Sequence, residues 1–182
     1  MNKWLKRTLI GVGVVVAVLL IVAVFAPKEY GVSREIVIAQ PVPVVFSYIK
    51  YLKNQETYST WSMKDPDMEK SYRGEDGTVG FVAAWDSDHD QVGKGEQEIV
   101  QIVDNARLDL ELRFFEPFEA KDKAYMVTTP VSDTETKVVW GFQGRMAYPM
   151  NLMLLCMDME NILGSELQTG LVNLKALLEK KQ

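Results

Sequence analysis

The sequence has one cysteine, Cys156, and one histidine, His89. A lone cysteine excludes an internal disulfide. It sits in an apolar stretch, where a thiol acts as a small hydrophobe, and it says little about redox compartment. A single histidine leaves no zinc set of the usual kind and no credible Ser-His-Asp triad. His89 falls in a polar loop with Asp86, Asp88 and Asp90, which have the one-three-five spacing of a calcium loop. That pattern fails further on, because Gln91 replaces the glycine and Gln97 the glutamate that such a loop requires. The loop therefore reads as a solvated hairpin tip, and no metal is expected. There is no phosphate-binding loop and no GxGxxG motif, so no nucleotide cofactor is expected either. Basic charge is also short. Lys3, Lys6 and Arg7 lie before the first apolar run, which leaves 17 of the 20 basic residues against all 25 acidic ones, a balance of −8. An acidic domain repels phosphate backbones, which argues against nucleic-acid binding.

The chain does have one long apolar run. Residues 8–26 are uncharged and almost wholly apolar. At about 1.5 Å per residue they span roughly 28 Å, close to the hydrocarbon thickness of a bilayer. Trp4 is placed for the interface, and Lys3, Lys6 and Arg7 precede the run. The positive-inside rule then puts the amino terminus in the cytoplasm and everything after Pro27 on the far side, periplasmic or extracellular in a bacterium. A cleaved signal peptide is the competing reading, since Val24-Phe25-Ala26 loosely resembles a cleavage site. The apolar core exceeds the usual signal length, and Pro27 would follow the cut, so an uncleaved single-pass anchor is expected. Residues 1–27 are then the anchor and residues 28–182 one soluble domain.

The soluble part alternates like a sheet. Residues 30–39 suit a first strand, and the prolines at 41 and 43 end it. Two short helices are expected next, the second carrying Tyr58 and Trp61. Six strand-like runs follow: 68–73, 78–86, 95–103, 107–115, 121–131 and 136–146. The run at 107–115 alternates most clearly, with Leu108, Leu110, Leu112 and Phe114 against Asp109, Glu111 and Arg113. Glu96 and Glu98 share one strand face, as Asp109 and Glu111 do. Their expected place is the water side, with Arg113 in surface ion pairs, rather than acid–base chemistry.

Residues 148–180 read as one long helix. Leu152, Leu155, Met159, Leu163, Leu167, Leu171, Leu174 and Leu178 recur at helical spacing, and Pro149 suits a first turn. Methionines crowd its start: Met146, Met150, Met153, Met157 and Met159. Methionine fills irregular space or lines an adaptable pocket, so the helix is either plain core or one wall of an apolar cavity. Gly164 and Gly170 lie inside it, which close approach to the sheet or to a ligand would justify. Seven antiparallel strands with one long amphipathic helix to cover them form an α+β domain, a curved sheet gripping the carboxy-terminal helix.

That order resembles the START-like superfamily known as SRPBCC, in particular its polyketide cyclase/dehydrase-like branch. The matching features run from Pro-Val-Pro-Val-Val-Phe at 41–46, through Tyr58-Ser-Thr-Trp61-Ser and Thr78-Val-Gly-Phe81 with Trp85, to Gly93-Lys-Gly-Glu-Gln-Glu-Ile99 and Thr136-Lys-Val-Val-Trp140. The match covers about residues 30–180. It implies a helix-grip fold whose members typically hold a hydrophobic small molecule or lipid between the sheet and the last helix. Some members are cyclases or hydrolases, some are transfer proteins, and many have no known activity.

On that fold the expected cavity lining is Trp61, Phe81, Trp85, Met126, Trp140, Phe142, Met150, Met153 and Met157, with Arg145 and Tyr148 at the mouth. The same aromatics would serve equally as core. The leading expectation is a membrane-tethered module that binds a hydrophobic small molecule or lipid without catalysis. A cyclase or hydrolase acting on a hydrophobic substrate, and a ligand-free stress or interaction protein, stay open beside it.

Overall fold

The computed structural model describes residues 2–180. Helix α1, Lys3–Phe25, comes first, followed by strand β1, Glu29–Ile38. Three short helices follow: α2, Val42–Ile49, α3, Leu52–Gln55, and α4, Thr60–Lys64. Then come β2, Glu69–Arg73, β3, Val82–Asp86, β4, Lys94–Val103, β5, Arg107–Glu116, β6, Ala120–Ser132, and β7, Glu135–Arg145. A 3₁₀ segment, Met150–Leu155, precedes helix α5, Met159–Glu179. All seven strands form one antiparallel sheet in the order β1-β7-β6-β5-β4-β3-β2. Sheet and carboxy-terminal helix together make the α+β helix-grip fold expected from the sequence.

Register shifts in β4, between Lys94 and Gly95 and between Ile99 and Gln101, bend the sheet. The bend lets one face wrap α5. That face offers Leu108, Leu110, Met126, Val138 and Trp140, all buried. Helix α5 answers with Leu167, Leu171, Leu174 and Leu178, spaced four, three and four apart and all buried. Each such side chain removed from water stabilises the fold by about 1.5–3 kcal/mol. On the opposite face Arg113 pairs with Glu96 at 2.6 Å, Glu98 at 2.8 Å and Glu111 at 2.6 Å. Burial pushes the Glu96 carboxyl up, but hydrogen bonds from Arg73 and Arg113 outweigh it and hold the group below the ordinary range. These carboxylates are committed to structural pairs on the outer face.

Three local expectations need correction. The short helices number three, because Leu52–Gln55, between the two expected ones, makes a turn of helix of its own; the expected second helix is α4, which holds Trp61 but starts after Tyr58. Strand β3 starts at Val82, not at residue 78, since Gly80 has φ +89° and the Phe81 N–H donates to the Thr78 carbonyl in a turn. The largest correction concerns 148–180, which is not one helix. Asp158 caps α5, its carboxylate accepting from the Asn161 N–H at 3.0 Å, with Glu160 in the first turn. Residues 150–155 wind separately, and Pro149 precedes them instead of opening α5.

The two interior glycines of α5 make room for side chains of the sheet. A Cβ on Gly170 would lie 2.7 Å from Cζ3 of Trp140, and one on Gly164 would collide with the Arg34 guanidinium. Arg34 crosses that gap to Glu160 at 2.5 Å.

Candidate functional site

A cavity lies between the sheet, α4 and the first half of α5. Its volume is about 190 Å³, well above the roughly 10–15 Å³ that admits one water. It is below the roughly 300–1,000 Å³ common for drug-sized ligands. The space is too large for a packing defect and too small to enclose a two-chain lipid.

Its apolar wall is aromatic. Trp61 comes from α4, Trp85 from β3, and Trp140 and Phe142 from β7, with Leu163 and Leu167 on α5. Trp140 is the hub. Tyr58 meets it edge-on at 5.7 Å and Trp61 at 6.4 Å between ring centroids. Trp85 meets Phe114 edge-on at 6.0 Å. Edge-to-face packing fixes these rings in place, so the wall is preformed. Helix α4 is held against α5 beside the cavity by Lys64, which pairs with Glu166 at 2.7 Å.

A second wall is polar. Gln97 on β4 donates from Nε2 to Oε1 of Gln55 at 2.7 Å, and Gln55 is buried. Glu56 stands beside them, accepting at Oε2 from Lys70 at 2.9 Å and at Oε1 from the Tyr72 hydroxyl. Burial first, then the hydrogen bond to Glu56, pushes the Tyr72 phenol up, so it stays a neutral donor. Gln55 and Glu56 are aimed by Asp76, whose carboxylate accepts from the N–H groups of Leu52 at 2.8 Å and Lys53 at 3.1 Å. That satisfies the free donors at the start of α3.

The expected lining set divides. Trp61, Trp85, Trp140 and Phe142 border the cavity. Phe81 is buried in the core, stacked on Tyr72 at 6.1 Å. Met126 is buried beneath Tyr58, whose hydroxyl donates to its sulfur at 3.6 Å. Met150, Met153 and Met157 lie away from the cavity, on the 3₁₀ segment and the turn after it, because Asp158 starts a new helix there. Arg145 and Tyr148 are outside the lining too. Arg145 uses its backbone N–H on Asp122 at 3.0 Å, and Tyr148 is exposed. The polar wall was not anticipated. Its signal lay in the alternation of β4, since placing Glu96 and Glu98 outward turns Gln97 inward.

His89 sits in an exposed loop, its Nδ1 accepting from the Gln91 N–H at 3.1 Å. Among the described residues no group of three or more histidine, cysteine, aspartate or glutamate side chains is arranged to hold a metal ion.

No protein-family model matches this sequence, and no curated protein does. Solved structures do match, and they carry the same helix-grip architecture. The di-domain ARO/CYC StfQ of the steffimycin biosynthetic pathway superposes with a TM-score of 0.64 at 8% identity, over 85% of this chain and 52% of that one. TTHA0849 from Thermus thermophilus gives 0.60 at 16% identity, over 83% of this chain and 98% of its own. Ara h 8.0201 gives 0.56 at 10% identity, over 84% and 99%. At these identities the shared property is the fold.

Proposed function

We propose that this chain binds a hydrophobic small molecule or a single-chain lipid in the cavity, and that α1 tethers it to a membrane while it does so. The observation that carries the reading is the cavity itself: a preformed aromatic wall facing a small polar wall, in a space of about 190 Å³. Such a site takes an apolar body and orients it by one polar group. The volume favours one acyl chain or a compact ring system.

The tether reading is supported by α1. This helix is long and apolar enough to cross a membrane, and apart from Ala23 its side chains from Lys3 to Phe25 stand exposed. A helix of that composition belongs in hydrocarbon.

Glu56 keeps a second reading alive, an enzyme of the cyclase or hydrolase type, because it is a carboxylate inside an apolar cavity. Both of its oxygens are already engaged, by Tyr72 and Lys70. Each oxygen keeps a second lone pair, so Glu56 retains an acceptor that a substrate could use, and the two readings separate by whether turnover is seen.

Native mass spectrometry of the full chain released from detergent micelles tests the proposal. The expected result is a co-purified apolar mass, or saturable binding when fatty acids, lysophospholipids and polycyclic ring compounds are offered. Neither a bound mass nor saturable binding anywhere in that panel overturns it. Conversion of a bound ring compound that stops in Glu56→Gln would move the assignment to the enzyme.

A further inference from the structure

Asn151 is a buried polar residue that the cavity does not use. Its Nδ2 donates to the carbonyl oxygens of Ala23 at 2.7 Å and Ala26 at 3.1 Å. These belong to the last turn and the cap of α1. The final carbonyls of a helix have no partner within it, and a membrane supplies none. One side chain of the 3₁₀ segment therefore closes the end of the apolar helix. The bond also sets a height. If residues 8–26 fill the hydrocarbon, Ala23 and Ala26 lie at its boundary, and the segment bonded to them lies there as well.

The side chains at that height suit it. Met150 is 48% exposed, Met153 41% and Leu155 54%. Tyr148 just before them is an exposed aromatic with a polar tip, the kind enriched at membrane interfaces. The turn between β5 and β6 is at the same end of the sheet. Lys123 pairs with Gln143, which sets that turn level with the chain leaving β7. The turn carries Phe118, 72% exposed, the most exposed large apolar side chain outside α1 among the described residues. Water penalises this collection, whereas an interface accepts it.

We propose that the 150–155 segment and the Phe118 turn rest in the bilayer interface as a second membrane contact, locked to α1 by Asn151. This rests on α1 being a spanning helix. The contact turns the cavity end of the sheet toward lipid. Phe142 pairs with Val32, three positions in from the Glu29–Arg145 pair that starts the sheet beside α1. Phe114 is two residues from the end of β5, and Trp85 is next to last in β3. A hydrophobic ligand reaches those rings from the bilayer side without crossing bulk water.

Nitroxide depth measurement on the full chain in phosphatidylcholine–phosphatidylglycerol nanodiscs tests this. The exposed native Cys156 is one labelling site. In a Cys156→Ser background, Phe118→Cys, Val15→Cys and Thr134→Cys supply the others. Expected collision ratios of oxygen over a water-soluble nickel complex are high at 15, intermediate at 156 and 118, and low at 134. A label at 15 in hydrocarbon with 156 and 118 as aqueous as 134 overturns the proposal and leaves the anchor standing. A label at 15 that is itself aqueous removes the anchor reading, and the proposal with it.

Discussion

The 3₁₀ segment and α5 are neighbours in the chain, and both are rich in leucine, yet their apolar side chains end in different surroundings. In α5 they close on the sheet, with Leu167, Leu171, Leu174 and Leu178 buried. In the segment the buried side chain is the polar one, Asn151, while Met150, Met153 and Leu155 stay outside. Three residues, 156–158, separate the two patterns. Hydrophobic content alone therefore does not say which residues form a core; what matters is whether a complementary face lies opposite. Helix α5 faces a seven-stranded sheet. The segment packs chiefly against the end of α1.

The contrast can be tested from its strongest side downward. Leu171→Ala, in the grip of the sheet, is expected to cost about 2–5 kcal/mol, as buried Leu→Ala changes do. Denaturant titration of the detergent-solubilised chain measures it, and a loss below about 1 kcal/mol would mean that α5 is not gripped. Gly170→Ala comes next. The buried Trp140 ring edge cannot swing away, so overpacking of about 1–3 kcal/mol outweighs the roughly 1 kcal/mol gained in helix propensity. Gly164→Ala on the same helix is the internal control, because there the obstacle is the far end of a flexible arginine. Loss of the partly exposed Arg34–Glu160 pair, worth about 0–1 kcal/mol, roughly cancels the propensity gain, and the midpoint should barely move. Met153→Ala is the smallest, within about 0.5 kcal/mol, as expected of an exposed side chain away from any special feature. A larger loss there would put the segment in the core after all.

Much of the fold is legible in the residues themselves. The alternation of Leu108, Leu110, Leu112 and Phe114 fixes β5 and its inward face, and the leucines of α5 identify the helix that covers it. Local exceptions are where reading fails. Leu152 and Leu155 continue the helical period of α5 toward the amino terminus, and the period hides the break. Asp158, with Glu160 and Asn161 after it, was the available cap signal. Strand β3 loses its first residues to Gly80, whose positive φ no alternation rule registers. The site was half visible. Large aromatics mark an apolar wall wherever they converge, so Trp61, Trp85, Trp140 and Phe142 could be named in advance. Gln55, Glu56, Lys70 and Tyr72 could not, because each looks like surface until the tertiary structure brings α3 over β2 and β4. Asn151 was hidden for the same reason: its partners lie more than a hundred residues earlier in the chain.

The Gln55–Gln97 pair has one more property. Each carboxamide carries a donor and an acceptor on the same carbon. If both rotate by half a turn, the bond between them survives with its direction reversed, Gln55 now giving and Gln97 receiving. The groups outside that bond swap with it: the remaining amide nitrogen moves from Gln55 to Gln97 and the remaining oxygen moves the other way. The turn also changes what Gln55 presents to the Tyr58 hydroxyl, its other hydrogen-bond neighbour. The polar wall is thus a reversible pair, able to present a donor or an acceptor from either of its two side chains.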